Sequence, residues 1–539
     1  MGIPMEIDVD NVLHYVAEIA QFHRVQGMKE LPQAARFVKE ELETYGFFVK
    51  LIKGEYDGES WHGTLKSPVA WELFKVSVKT GEAILDGSPL VALQHSPPGS
   101  ERGKIHPISS EDDWRVAEGK IVLVGENWYE NYKRANEEGA HGFVAYRRGS
   151  GDGIPYVGLF LTMDELEWAD IPAVAVSETF AEKLRPGKEV ELQVEAEFKR
   201  REKLPIVYAS LGKPPYLLLT AHLCHPKPGA NDNASGSALL LELARNLAKY
   251  ENFENIGVAF LWIPEYHGSQ FFMENVGGEF YASINLDMVG GSFDRSGSRL
   301  LLVRTPLSRF SILSGLLEDE LTRENFHGRS IGGVPLPRMP QTSVPYELGS
   351  DHDVLNFHGV PAVMSITWPD RFYHTHIDSI SNLDGLTLKT VGNAVLNTVR
   401  RLSTIDEREF KKLEKKLVFR ELGRTFPRSS LSHVLAIGIG RDREKLGLKP
   451  MEVKPEGWLR WDFKGLLSFR HLSKRFEGIP KKPLENRKIR TQLHELIMLG
   501  EVVGKEESME VLESEYGKVE EGLEETLNSL LEVGILREL

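Results

Sequence analysis

Five side chains stand out by type and position. His222, Glu265, Asp287 and His374 each follow an apolar run that reads as a buried strand. Tyr216 to Ala221 leads into His222, Val258 to Ile263 into Glu265, Ala282 to Leu286 into Asp287, and Pro361 to Ile366 through a short loop into His374. Ligands of parallel α/β sheets bind beyond the carboxyl ends of the strands, so these imidazoles and carboxylates point to one rim. The fifth lies in Gly229 to Gly236, ahead of an amphipathic helix with Leu239, Leu243 and Leu247 on its core face. Asp232 or Asn233 falls near the N-cap, where backbone N–H groups and the helix dipole fix a carboxylate's direction and suit it to bridge two cations. Two histidines, two aspartates and a nearby glutamate suit a borderline cation: Zn²⁺ is expected, one or two per chain, with Co²⁺ or Mn²⁺ able to substitute. A pair of ions ~3.5–4 Å apart would acidify a water and polarise a carbonyl while Glu265 removes the proton, which is hydrolase chemistry.

The elements that must position these groups follow from the apolar periodicity. Helical patterns cover 10–22 and run from Pro32 to the stop at Gly46, and Phe47 to Ile52 reads as a strand. From about 60 to 200 the texture changes to short β-like runs, such as Ile121 to Val124 and Ile171 to Val176, separated by glycine and proline. Strand and helix signals alternate over 205–405, which predicts an α/β fold with a mixed, mostly parallel sheet flanked by helices. After about 406 the chain is highly charged, with Lys411, Lys412, Lys415 and Lys416 on a solvated helix face. The expected division is a catalytic domain of 1–58 and 200–405, a β-rich insert of 59–199 and a separate helical domain of 406–539.

Composition closes off other classes. No apolar run approaches the ~18 residues of a membrane helix. A net charge of -14 works against broad contact with nucleic acid. Cys224 is the single cysteine, and acidic Glu6, Asp8 and Asp10 stand where a signal peptide would be basic and then apolar, so a reduced, cytoplasmic protein is expected. Gly438-Ile439-Gly440 lacks the third glycine of a dinucleotide loop. The proline-rich stretch Gly333 to Pro340 is expected to line a substrate pocket, with Arg338 contacting an anion.

These motifs resemble the co-catalytic zinc exopeptidases of the aminopeptidase Y and glutamate carboxypeptidase type, over most of residues 10–400. The resemblance rests on Gly229 to Gly236, Ala221-His222, Asn285 to Gly290 and His374 to Asp378. It implies that His222 and Asp287 hold one metal, that His374 holds the other, and that Asp232 bridges them. It further implies that Asp351 and His352, in Gly349-Ser350-Asp351-His352, lie behind the metal ligands or contact substrate. Two positions depart from the pattern. Cys224 occupies the place of an orienting aspartate, leaving His225 as a substitute; Tyr266 occupies the place of a second, metal-binding glutamate, leaving His267 as a substitute or a single tight metal. The insert resembles a protease-associated domain, and the final segment is similar in outline to a winged helix. Ten glutamates against two lysines between 501 and 526 turn that segment toward a protein partner or dimerisation rather than DNA.

The expected function is a metal-dependent aminopeptidase that hydrolyses the N-terminal bond of peptides with a metal-activated water and Glu265 as general base. Its expected partner is a peptide substrate, with no membrane role, and the resemblance implies a homo-oligomer. The same residues would also serve a carboxypeptidase, an amidase or a glutaminyl cyclase. The competing class is a catalytically degenerate binding or assembly protein, motivated by Tyr266 and the large tail.

Overall fold

The apolar runs become the centre of an eight-stranded sheet in the computed structural model, which describes residues 6–425, 429–479 and 486–539. Its strands are β1 (Lys50–Tyr56), β2 (Glu202–Leu211), β3 (Tyr216–His222), β4 (Gly257–Ile263), β5 (Phe280–Leu286), β6 (Arg299–Val303), β7 (Gln341–Val344) and β8 (Ala362–Trp368). The spatial order is β1-β2-β4-β3-β5-β8-β6-β7. The neighbours β4, β3, β5 and β8 run parallel; on one side β1 and β2 pair antiparallel with their neighbours, and on the other β6 pairs antiparallel with β8 and parallel with the edge strand β7. Parallel strands covered on both faces need continuous apolar sequence, and every residue of β4 and β5 is buried. Helices Val9–Ile19, Gly236–Leu247, Gly385–Ser403 and Ile312–Asn325 pack on one another against this sheet, as the mixed α/β expectation requires.

The insert builds its own seven-stranded sheet and its own apolar core, around Trp71, Phe143 and Leu192. The chain passes from one sheet to the other between Lys199 and Glu202.

The tail differs from expectation. It forms helices over Glu407–Arg424, Ser429–Lys445, Arg487–Gly500, Lys505–Tyr516 and Leu523–Glu532, and strand Leu536–Glu538 returns to pair with Leu459–Trp461. It does not stand apart: Leu435, Leu493, Leu496, Leu512 and Leu527 belong to one continuous apolar core with the large sheet. Polar contacts secure the join. Glu495 accepts from Ser308 N at 2.9 Å and Ser308 Oγ at 2.8 Å, and Arg309 pairs with Glu501. Gly438 has a packing role here, since a Cβ at that position would lie 2.4 Å from the Phe310 carbonyl oxygen. Among the described residues no helix is long and apolar enough to cross a membrane.

The join carries a pH signature. Burial raises the Glu495 carboxyl to about 7, against the opposing pull of Ser308 and Arg309, and Glu515 beside it is raised by burial and by Glu495. The folded protein therefore holds a proton there that the unfolded chain releases near pH 4.5. That stabilisation is complete below the unfolded value and is lost as pH climbs through about 7. Between pH 5 and pH 8 the wild type should lose on the order of 1–3 kcal/mol more stability than Glu495→Gln in denaturant unfolding. Equal losses would contradict a buried proton at this joint.

Candidate metal centre

The four adjacent parallel strands end together, and their exits carry the expected groups. His222 closes β3, Asp287 follows β5, Glu265 lies just past β4, and His374 sits in the loop after β8. Three of these exits force non-glycine residues to positive φ: Tyr266 at 58°, Met288 at 52° and His374 at 54°. Such conformations persist where surrounding contacts dictate them, and they cluster at functional sites.

Asp232 is the centre of the arrangement. Its Oδ1 lies 3.3 Å from His222 Nε2, and its Oδ2 lies 3.0 Å from His374 Nε2 and 3.3 Å from His225 Nε2. His222 Nε2 is also 3.4 Å from Asp287 Oδ1. The donors form two groups, each with ligand atoms within 4.8 Å of one another: His222, Glu265 and Asp287 in one, and His225, Asp232 and His374 in the other. The structure thus brings together all five residues expected from the strand ends and the loop. His225, expected only as an orienting partner, joins the second group where the missing glutamate would have contributed. His267 does not; its ring faces Tyr56 at 6.5 Å and lies in neither group. The spacing in His222-Leu223-Cys224-His225 is the sequence signal that could have pointed there.

The donor set fits a pair of cations. His225 Nε2 and Asp287 Oδ1 are buried without a hydrogen-bond partner, although buried polar atoms are almost always satisfied. Electrostatics agree: burial works against a charged His222, yet Asp287, Glu265 and Asp232 outweigh it and push its pKa well up. Burial, with Asp287 and Asp351 adding to it, likewise raises Glu265 far above the usual carboxylate range. This much negative charge gathered below the surface calls for positive charge.

Supporting contacts hold the donors in place. Asp232 is oriented by Asp378, which accepts from Asn231 N at 2.8 Å and Asp232 N at 3.0 Å, and not by a helix N-terminus. Asn233 joins the loop to the first residue of the helix and to the exit of β5: its Oδ1 accepts from Gly236 N and Met288 N, both at 3.0 Å. Gly229 is required by space as well as by its φ of 51°: a Cβ there would lie 2.3 Å from His225 Nδ1. The fully buried Arg24 donates to the carbonyls of Leu223, Pro228 and Gly229, tying down the loop that carries His225. His222 Nδ1 faces the Cys224 carbonyl at 3.0 Å, so the backbone supplies the orienting oxygen that an aspartate would have given. The Cys224 sulfur accepts from Glu265 N at 3.0 Å. From the insert, Tyr156 N donates to the His374 carbonyl at 2.7 Å, and its ring packs against both His225 and His374.

A cavity of about 1250 Å³ opens onto the donors. The sheet domain, Tyr129 and Lys133 of the insert, and Arg470, Arg487 and Arg490 of the tail all contribute to its wall. Tail and insert meet where Arg470 pairs with the buried Glu165 at 2.5 Å and stacks over Tyr129. Arg338, Asp351 and His352 do not line this cavity. Arg338 pairs with Asp384, and the stretch 333–337 is exposed away from the cavity. His352 is buried with Nε2 against the Glu347 carbonyl at 3.0 Å. Asp351 is buried behind the cavity wall, where it accepts from Tyr266 N at 2.8 Å and Ser269 Oγ at 2.6 Å and so fixes the turn that carries Glu265. Arg338 reads as a site residue through its proline-rich stretch, and Asp351 and His352 through the family motif, and neither signal decides which wall a side chain joins.

Asp378 gives a direct test of this support. Asp378→Ala leaves two buried N–H groups without acceptors, which should cost about 2–4 kcal/mol in unfolding and weaken zinc binding roughly 10–100-fold by titration calorimetry.

Comparison with known proteins follows the same outline. The family model of Peptidase family M28 matches residues 207–399. Aminopeptidase YwaD of Bacillus subtilis (strain 168) is 25% identical over 340 residues, which is 58% of this chain and 70% of that protein. BSAP, a zinc aminopeptidase from Bacillus subtilis, superposes with a TM-score of 0.55 at 18% identity, covering 74% of this chain and 96% of that one. A putative peptidase from Clostridium acetobutylicum superposes with a TM-score of 0.54 at 13% identity over 98% of this chain and 96% of its own, so its fold extends through the tail as well. The two superpositions speak for the fold. The profile match falls on residues 207–399, the part of the chain that carries the strand-end motifs, and there the sequence is similar to Peptidase family M28.

Proposed function

We propose that this protein is a metal-dependent aminopeptidase, with zinc as its ion, that removes N-terminal residues with apolar side chains from peptides. One observation carries the reading above the rest: a single buried carboxylate, Asp232, turns one oxygen to each of two donor groups, with Glu265 beside the first. In this reading His222 and Asp287 would hold one cation and His225 and His374 the other, with Asp232 available to both. Zinc bound there would act as a Lewis acid, polarising a peptide carbonyl and lowering the pKa of a water. Glu265 takes the proton from the attacking water and returns it to the departing amine. Its position is set by the Cys224 sulfur and by Gln26 Nε2, which donates to the Glu265 carbonyl at 3.1 Å.

Side-chain preference follows from the cavity wall next to Asp287. Met288, Leu301, Val303, Met364 and Ile366 line it and cluster together with Trp368. Alternate residues of β6 and β8 share a face, so this patch is a continuous apolar surface. It would accept an aliphatic or aromatic side chain and leave a charged one without a partner. Residence in the cytoplasm and self-association form part of the same proposal, and light scattering tests the second. The buried, unpaired Cys224 suits a reducing compartment.

Three measurements test the reading. Glu265→Gln should lower kcat by roughly 10²–10⁴-fold with zinc content per chain unchanged; loss of zinc would make Glu265 a ligand instead. His225→Ala should reduce bound zinc from two equivalents to one by mass spectrometry, and two retained equivalents would remove His225 from the site. Across aminoacyl anilides, leucine and methionine should exceed aspartate and lysine by roughly tenfold or more in kcat/KM.

A further inference from the structure

Arg490 is the unexplained group in the cavity wall. Helix Arg487–Gly500 of the tail brings it there beside Arg487, in the same cavity as Asp232, Glu265 and Asp287. It is half-buried, its Nε is fully shielded from solvent, and its guanidinium makes no hydrogen bond or ion pair among the described residues. Other shielded arginines of this chain are engaged. Arg24 donates to backbone carbonyls, Arg309 pairs with Glu501, and Arg443 pairs with Glu407 and Glu414.

Asp353 does not serve as its partner. Its carboxylate already accepts from Gly349 N at 2.9 Å, Tyr346 Oη at 3.0 Å and Tyr266 Oη at 3.2 Å, and it makes no ion pair with Arg490. The neighbouring Arg487 donates to the Leu348 carbonyl, and its charge repels that of Arg490. Two adjacent guanidiniums, one partly dehydrated and unpaired, make a receptor for a planar anion, and a carboxylate fits a guanidinium fork bidentately.

We infer that Arg490, supported by Arg487, binds a carboxylate of the substrate, so that the enzyme selects peptides presenting a free acid group. This rests on the aminopeptidase reading and adds substrate class to it. Arg490 and Arg487 give this part of the cavity wall a fixed positive pole, and an acid group of a bound peptide can settle against it. The apolar patch beside Asp287 takes the N-terminal side chain, which leaves the peptide's C-terminal carboxylate, or an acidic side chain downstream, as the group that meets Arg490. A short peptide offers the first; a longer one can offer the second. The tail thus acts as a specificity element for the site it covers.

The test compares kcat/KM for Leu-Gly-Gly with its C-terminal amide, and for Leu-Asp-amide with Leu-Asn-amide, using zinc-loaded full-length enzyme. The wild type should prefer the acid member of at least one pair by roughly 30-fold, mostly through KM. The pair that shows the preference identifies which carboxylate is read. In Arg490→Gln the ratio should fall to near one, and Arg490→Lys should retain part of it. A wild-type ratio near one for both pairs overturns the inference, as does a preference unchanged in Arg490→Gln. Should Arg490→Gln fail to fold, the wild-type ratios and Arg490→Lys still decide. Hydrolysis of leucyl anilide separates the two claims: its absence sinks the aminopeptidase reading, whereas its presence with ratios near one sinks only the role of Arg490.

Discussion

Everything at this site depends on a concentration of negative charge that the fold places below its own surface. Asp232, Asp287, Glu265 and Asp351 lie close together at the rim of the sheet, with His222, His225 and His374 among them. Burying carboxylates costs free energy unless cations or hydrogen bonds compensate. The orphaned Asp287 Oδ1 and His225 Nε2 show that the protein's own contacts leave that compensation unfinished. A cation pair centred on Asp232 would complete it, which links stability, metal affinity and chemistry in one place.

Keeping such a site open demands a rigid frame, and the frame comes from three parts of the chain. The parallel strands fix where the donors leave the sheet. The insert pins the His374 loop through Tyr156 and through Arg147, which donates to the Tyr373 carbonyl at 3.1 Å. The tail shares the core of the sheet domain and extends across to the insert through Arg470 and Glu165. Because all three bodies contribute wall, access to the donors is a property of the whole assembly and not of the sheet alone.

Much of this was legible in the order of residues. The four apolar runs could be read because central parallel strands tolerate almost nothing else, and their exits are where α/β sheets place ligands. Asp232 could be read because the loop before a buried helix has few tolerated sequences: at Gly236, a Cβ would strike the Leu286 carbonyl oxygen at 2.3 Å. What could not be read depends on contacts distant in sequence. His225 reaches the second donor group only because Arg24, some 200 positions earlier, folds its loop back. The tail looked separate because its charge and helical texture differ from the sheet's, yet packing is decided by its buried leucines. Nothing in the local sequence separates Arg338 from Arg490; only the tertiary arrangement sends one to Asp384 and the other to the cavity.

The central claim is that Asp232 is shared by two cations. Anomalous diffraction at the zinc edge from zinc-loaded crystals tests it most directly. The account predicts two peaks on either side of the Asp232 carboxylate, one against His222 and Asp287 and the other against His225 and His374. A single peak, or a second one away from His225 and His374, would contradict it.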